Sequence, residues 1–427
     1  MDTSKIKTGN YRWRILSLLF FATTINYIDR QVIGILKPFI AEDLAWNEAD
    51  YGYIVTTFQI AYAIGLLTTG RLLDKFGTRI GYVWSIVVWS VAGMAHAVAR
   101  SVFGFASARF VLGFGESGNF PAAIKAVAEW FPKKERAYAA GLFNSGSTIG
   151  AIIAPIIVSG ITLSFGWQWA FIITGALGFV WIFFWLAYYR IPQKHPKISK
   201  AELQYITQDV DENNTGENIR WVELFKYRAT FAICATRFIS DWVWWFFLFW
   251  IPDFLNKMHG INIKEVVLPL IVIYAVSSVG GIGGGWLSSR FIQMGKSVDF
   301  ARKTTILICA LVIFPVMLVS QVHNLWAAVL LIAFAAAGHQ GWASNIFTIV
   351  SDIYPKNAVA SMSGLAGFSG AIGGALSASF VGILLESSGS YFLIFLTASS
   401  VYIINWLIIK FCIKEIKPKE IEQHEQD

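Results

Sequence analysis

Residues 70–79 read Gly70-Arg71-Leu72-Leu73-Asp74-Lys75-Phe76-Gly77-Thr78-Arg79, a short polar turn between two apolar runs, and a second turn of the same kind, Gly285-Trp286-Leu287-Ser288-Ser289-Arg290 through Gly295-Lys296, returns later in the chain. A second pair repeats the order: Glu129-Trp130-Phe131-Pro132-Lys133-Lys134-Glu135-Arg136-Ala137 is echoed by Asp352-Ile353-Tyr354-Pro355-Lys356-Asn357-Ala358. Two echoes in one order mark an internal duplication.

Apolar stretches of about 20 residues, each long enough to cross a hydrocarbon core of about 30 Å as a helix, flank these turns on both sides. Twelve are predicted, near residues 14–36, 51–73, 80–99, 102–125, 139–163 and 167–189, then 229–256, 264–290, 303–320, 325–350, 359–384 and 390–412. A chain of 427 residues that is 56% hydrophobic and 14% charged fits neither a water-soluble enzyme nor a disordered polymer. The expected fold is an all-α membrane protein of twelve transmembrane helices in two pseudo-symmetric six-helix bundles. The bundles are residues 1–189 and 229–427, joined by a cytoplasmic loop, 190–228, with Pro192, Pro196 and the polar run from Asp211 to Asn218. Within that loop Ser199 to Asp209 reads as a surface helix, capped by Ser199 with Glu202 three residues on.

Lys and Arg fall in alternate connections, which predicts that these, and both termini, are cytoplasmic. Lys5, Lys7, Arg12 and Arg14 precede the first span, Lys75 and Arg79 follow the second, and Lys133, Lys134 and Arg136 follow the fourth; Glu42, Asp43, Glu48 and Asp50 follow the first. This bias accounts for the net charge of +7, so no nucleic-acid partner is inferred. The first apolar stretch is too long for a signal peptide and reads as a true span. Cys234, Cys309 and Cys412 lie far apart in apolar segments, so no metal is expected.

Against this background five ionisable side chains stand out inside spans: Asp29 and Arg30 in the first, Arg109 and Glu116 in the fourth, and Arg237 in the seventh, four residues before Asp241. A charge at mid-bilayer costs roughly 3 kcal/mol on insertion scales, so its repeated placement there asks for a use. Helix rise puts each group on the order of 10 to 21 Å from the end of its span, near the midplane. Arg109 and Glu116 share a helix face at seven residues, as do Arg237 and Asp241 at four. Arginine offers a bidentate fork to a carboxylate, which makes Arg30 the first candidate for an anionic substrate, with Arg109 and Arg237 beside it. Asp29 and Glu116 are the proton-site candidates, since burial raises a carboxyl pKa and a neighbouring arginine lowers it. His339 is a further candidate to bind substrate or shuttle protons, since an unperturbed imidazole titrates in the working range. Trp245, among the aromatics of the seventh span, is a candidate platform for a sugar ring, and Asn345 lies near His339.

The turn at Gly70, Leu72, Asp74, Lys75, Gly77 and Arg79 resembles the loop two-three signature of the major facilitator superfamily, which implies a conformational latch at Gly70, Asp74, Gly77 and Arg79; the second copy lacks an acid where Asp74 stands. Gly146, Gly150, Ala154 and Pro155 resemble the family's close-packing interface in the fifth span. A narrower resemblance, to the anion:cation symporter branch and most of all to bacterial hexuronate transporters, rests on Arg109 and Glu116, Glu129 to Arg136, Phe143-Asn144 with Gly146 and Gly150, Arg237-Phe238, Trp250-Ile251-Pro252 and His339-Gln340. Asp29-Arg30 resembles the acid-arginine pair of the branch's galactonate and vesicular glutamate carriers. The resemblance implies Tyr27 and Tyr62 as pocket walls, His339 and Gln340 as substrate contacts, and proton-coupled uptake of a sugar acid such as galacturonate or glucuronate by alternating access across the bacterial inner membrane. The expected partners are that small anion, protons and the lipid bilayer, with no cofactor and no obligate protein. An aldonate or another organic anion fits the same residues. An exchanger of phosphorylated solutes would need no protonatable acid, and a membrane enzyme would need a reactive constellation that no residue spacing supplies.

Overall fold

A computed structural model describes residues 9–208, 224–354 and 356–417. The described residues form helices joined by short connections, with no strand among them. The polar run Asp211 to Asn218 of the central loop lies outside them.

Helix α1 (Tyr11–Leu44) stops where Ala45 turns left-handed at φ 52°. Helix α2 (Glu48–Ala95) crosses twice, as Glu48–Gly70 and Lys75–Val98, because it bends at Gly77. At φ 74° and ψ 158° that backbone suits a residue without a Cβ. Then come α3 (Val102–Glu116), α4 (Asn119–Trp130), α5 (Lys133–Phe165), α6 (Trp167–Tyr188) and the short α7 (Lys200–Thr207), whose start is capped by the Ser199 hydroxyl accepting from Glu202 N. The second half holds α8 (Arg228–Phe249), α9 (Ile251–His259), α10 (Val267–Gln293), α11 (Val298–Ile313), α12 (Leu325–Ile353), α13 (Lys356–Ser388) and α14 (Phe392–Cys412).

Ten stretches of the described helices, two of them in α2, are long and apolar enough to cross a membrane. The other two of the twelve expected spans are α1 and the α3–α4 pair, which carry Asp29, Arg30, Arg109 and Glu116. Charge depresses the hydropathy of α1, and a break at Ser117-Gly118 splits the fourth span into two short pieces. The seventh span, expected to run unbroken to residue 256, also breaks: α8 ends at Phe249 and α9 restarts at Ile251, since Pro252 has no N–H to continue the ladder.

The chain forms two compact units, Met1–Ala45 with Thr57–Thr215 and Trp46–Thr56 with Gly216–Asp427. Residues 46–56, expected in the first bundle, group instead with the second. Within that unit the Tyr51 hydroxyl donates to Phe249 O at 2.8 Å, Thr56 Oγ1 donates to Ala375 O at 3.2 Å, and Lys257 pairs with Glu48. The duplication is visible in the packing: α1 runs along α5 in one unit as α8 runs along α13 in the other. Glycine permits both approaches. A Cβ on Gly150 would lie 2.5 Å from Thr24 O, and one on Gly373 would lie 2.0 Å from Phe238 O.

The turn at residues 70–79 is held inside the first unit. Arg79 Nη2 donates to Leu186 O at 2.7 Å, Trp185 Nε1 donates to Arg79 O at 3.0 Å, and Thr78 Oγ1 donates to Glu129 Oε1 at 2.6 Å. Gly70 has open space around it, and the Asp74 side chain lies outside the described residues. The second copy is held from α11, where Arg302 donates to Asp352 Oδ2 at 2.8 Å and to Ser288 Oγ at 2.7 Å.

The segment after α6 docks on the start of α1. Arg12 lies 3.1 Å from Glu135 Oε2 and 3.5 Å from Glu202 Oε1, and the Tyr205 hydroxyl donates to Glu135 Oε1 at 2.6 Å. His195 packs on Tyr11 and Trp130, with Nε2 3.2 Å from Tyr188 O and Nδ1 accepting from Lys197 N at 3.2 Å. That arrangement uses the neutral ring, and burial pushes its pKa below the ordinary value of 6.5. A folded-state pKa below the unfolded one contributes stability that is whole above about pH 6.5 and is lost as pH falls through it. Amide exchange in residues 192–207, corrected for its intrinsic pH dependence, should therefore quicken from about pH 7.5 to about pH 5.5. His195→Gln should flatten the response; an equally protected wild-type segment at both pH values would refute the docking role.

Candidate functional site

In the first unit the charged residues of α1 and α3 converge. Arg30, Arg109, Asp29 and Glu116 are all at most 2% exposed. Arg30 Nε donates to Glu116 Oε2 at 2.8 Å, and Arg30 Nη2 donates to Asn26 Oδ1 at 3.2 Å. The guanidinium carbon sits 4.8 Å from the Tyr27 ring centroid and 4.9 Å from that of Tyr62, with Phe58 at 5.5 Å. Aromatic faces and one carboxylate thus surround a cation that water does not reach. Arg109 Nη2 donates to Arg30 O at 3.0 Å and its guanidinium lies 5.1 Å from the Phe58 centroid, so it braces the α1 backbone beside the site.

The two acids differ. Glu116 ends α3 at the break before α4, gives Oε2 to Arg30, and has no partner for Oε1 among the described residues. Asp29, adjacent to Arg30 in sequence, projects about 100° away around the helix. It lies near Thr174, Glu116 and Arg109, yet neither of its oxygens meets hydrogen-bond geometry among the described residues. Arg30 therefore takes its acid from the fourth span, across 86 residues of sequence, and not from its neighbour.

The second unit holds a separate cluster. Arg237 Nη2 lies 2.9 Å from Asp241 Oδ2 one turn away, and its guanidinium lies 4.7 Å from the Phe347 centroid. Gly370 of α13 makes room, since a Cβ there would fall 2.0 Å from Asp241 Oδ2. His339 Nδ1 meets the Tyr402 hydroxyl at 2.5 Å, while Trp244 stacks on the imidazole at 5.5 Å and 8°. Gln340, the next residue, is half-buried opposite Gly281. Asn345 is buried and donates to Gly284 O at 3.1 Å and Gly341 O at 2.9 Å, so its amide ties α10 to α12. Trp245 stacks on Phe249 at 5.9 Å and lines a shallow apolar crevice with Trp242, Trp250 and Ser377.

Sequence reading missed Phe58, Tyr402 and Lys37. Phe58 and Tyr402 carry no charge and lie in apolar runs. Lys37 is 1% exposed and shares the face of Arg30, since seven residues are two turns. A buried lysine in a span was a legible signal.

A family model for the Major Facilitator Superfamily matches residues 19–376 and 292–427. The hexuronate transporter of Escherichia coli K12 is 32% identical over 387 residues, 90% of each chain. The galacturonate transporter of Dickeya chrysanthemi is 33% identical over 71% of this chain and 90% of its own, and a probable galactarate/D-glucarate transporter of Bacillus subtilis is 29% identical over 98% and 96%. Among solved structures, a D-xylose-proton symporter superposes with a TM-score of 0.73 at 14% identity, covering 95% of this chain and 98% of that one. A bacterial homolog of the human lysosomal transporter Spinster gives 0.72 at 18%, covering 95% and 96%. A duplicated helical fold with its charges buried in spans one, four and seven, matched by that model across most of its length, belongs to the Major Facilitator Superfamily.

Proposed function

We propose that this integral membrane chain is a secondary transporter that takes up a sugar acid, a hexuronate such as galacturonate or glucuronate, together with protons by alternating access. The bacterial cytoplasmic membrane is its proposed location, with both termini inside and no cofactor beyond the co-transported proton. The observation that carries the reading is Glu116, which holds Arg30 through one oxygen and leaves Oε1 unpartnered among the described residues. The hexuronate and galacturonate transporters related to it support the substrate class.

The coupling follows from charge. Arg30 is the group to which a substrate carboxylate docks, because a guanidinium fork matches the two oxygens of a carboxylate. The incoming anion displaces Glu116, and an uncompensated carboxylate in a desolvated site costs several kcal/mol. A proton on Glu116 removes that cost, so anion and proton enter together and the cluster's charge does not change. Asp29, which meets no hydrogen-bond geometry among the described residues, is the second proton site. One proton per monoanion is electroneutral; a second would carry one net charge inward, worth about 2.3 kcal/mol per 100 mV. Tyr27 and Tyr62 wall the pocket and Arg109 fixes Arg30; within the second unit Arg237, His339, Gln340, Asn345 and Trp245 are the candidate substrate contacts. Gly70, Asp74, Gly77 and Arg79 form the latch between conformations.

Proteoliposomes of the purified chain should accumulate radiolabelled galacturonate under an inward proton gradient and stop when an uncoupler collapses it. Absence of uptake across galacturonate, glucuronate, galactonate and galactarate would discard the substrate class. In the same vesicles Glu116→Gln should lose gradient-driven accumulation while keeping exchange of internal for external substrate; undiminished accumulation would remove Glu116 from coupling. Arg30→Lys keeps the charge and loses the fork, so KM should rise roughly 10- to 100-fold, as loss of a charged hydrogen bond of about 1.5–3 kcal/mol implies. An unchanged KM would move the carboxylate elsewhere.

A further inference from the structure

Two buried glutamines lie on the helices that carry Tyr27 and Tyr62. Gln31 on α1 and Gln59 on α2 are each 0% exposed, and neither the oxygen nor the nitrogen of either amide has a hydrogen-bond partner among the described residues. Buried amides are ordinarily spent on the fold. This chain's asparagines follow that rule: Asn345 donates to Gly284 O, Asn405 to Thr236 O at 3.1 Å, and Asn119 to Thr23 Oγ1 at 3.3 Å. Gln31 and Gln59 depart from it together.

Their positions are related. The rings of Tyr27 and Tyr62 cover Arg30, and Gln31 lies four residues after Tyr27 while Gln59 lies three before Tyr62. Residues three or four apart share a helix face. The two helices are joined at residues 45–47 and run in opposite directions, so both steps lead toward that same connection. At 1.5 Å per residue, each amide stands about 4.5–6 Å beyond the tyrosine layer, at a common depth. A carboxylate held at Arg30 sends its hydroxyl-bearing carbons away from the guanidinium, over about that reach. A hydroxyl donates and accepts, and so does a primary amide, which makes an unspent glutamine a matched reader of sugar hydroxyls.

We propose that Gln59 and Gln31 are specificity-determining residues that hydrogen-bond the hydroxyls of the sugar acid and reject carboxylates lacking them. The assignment rests on the sugar-acid reading given above. It explains why two desolvated, unsatisfied amides are kept in a packed bundle: only the substrate completes them.

The test uses the full chain in proteoliposomes, with galacturonate as substrate and cyclohexanecarboxylate, a ring acid without hydroxyls, as competitor. Gln59→Leu and Gln31→Leu should each raise the KM for galacturonate about tenfold or more. The inhibition constant of cyclohexanecarboxylate should change by less than about twofold, so discrimination collapses. Because each change removes an unsatisfied buried amide at nearly constant volume, Tm should hold or rise, which a packing role would not give. Unchanged discrimination in both variants, or a lower Tm with both ligands weakened equally, overturns the assignment. Wild-type chain that takes up no sugar acid overturns the underlying substrate reading and this assignment with it; wild-type uptake with intact discrimination in the variants overturns this assignment alone.

Discussion

The buried contact between Arg30 and Glu116 constrains most of what surrounds it. Neither group reaches water, so each needs the other, and the helices that bear them must lie close enough for a 2.8 Å hydrogen bond. α1 meets α5 at Gly150, where a side chain would strike Thr24 O. The fourth span breaks immediately after Glu116, placing the acid at a helix end. Tyr27, Tyr62 and Phe58 fill the remaining space around the guanidinium with ring faces, which exclude water without offering a competing acceptor. Replacing such a pair with apolar residues is often neutral or stabilising, so a buried pair is weak evidence for a stability role and stronger evidence for a use.

The architecture was legible because a bilayer imposes one length and one chemistry on every span. Ten stretches satisfy both tests, and each of the two remaining spans fails one of them where the buried charges lie: α1 fails on chemistry through its charges, α3–α4 on length through its break. The sequence therefore gives its weakest fold signal where its functional signal is strongest. Local spacing reached only part of the way. Arg109 and Glu116 share a face at seven residues, yet Glu116 turns to Arg30 on another helix while Arg109 holds the backbone of the same residue. Spacing reports which side chains can line one surface and carries no record of the helix opposite it. For the same reason Tyr402, 63 residues from His339, was invisible, and so was the grouping of residues 46–56 with the second unit. Gln31 and Gln59 escaped for a different reason: a neutral amide hardly disturbs hydropathy, and it becomes conspicuous only when its hydrogen bonds are sought and not found.

The two units carry related charge pairs with unlike mechanics. Span one offers Arg30 and span seven offers Arg237, spans that correspond in the duplication, and each arginine meets an acid. In the second unit that acid is Asp241, one turn along the same helix, so breaking the pair frees two side chains and leaves helix packing untouched. In the first it is Glu116 of another helix, so breaking the pair removes a tie between α1 and α3. A ligand shifts a conformational equilibrium only through contacts that differ between the states. Competition for Arg30 alters a contact between helices, whereas competition for Arg237 alters one within a helix. Breaking the first unit's pair therefore loosens one helix from another, while breaking the second unit's pair frees side chains of a single helix.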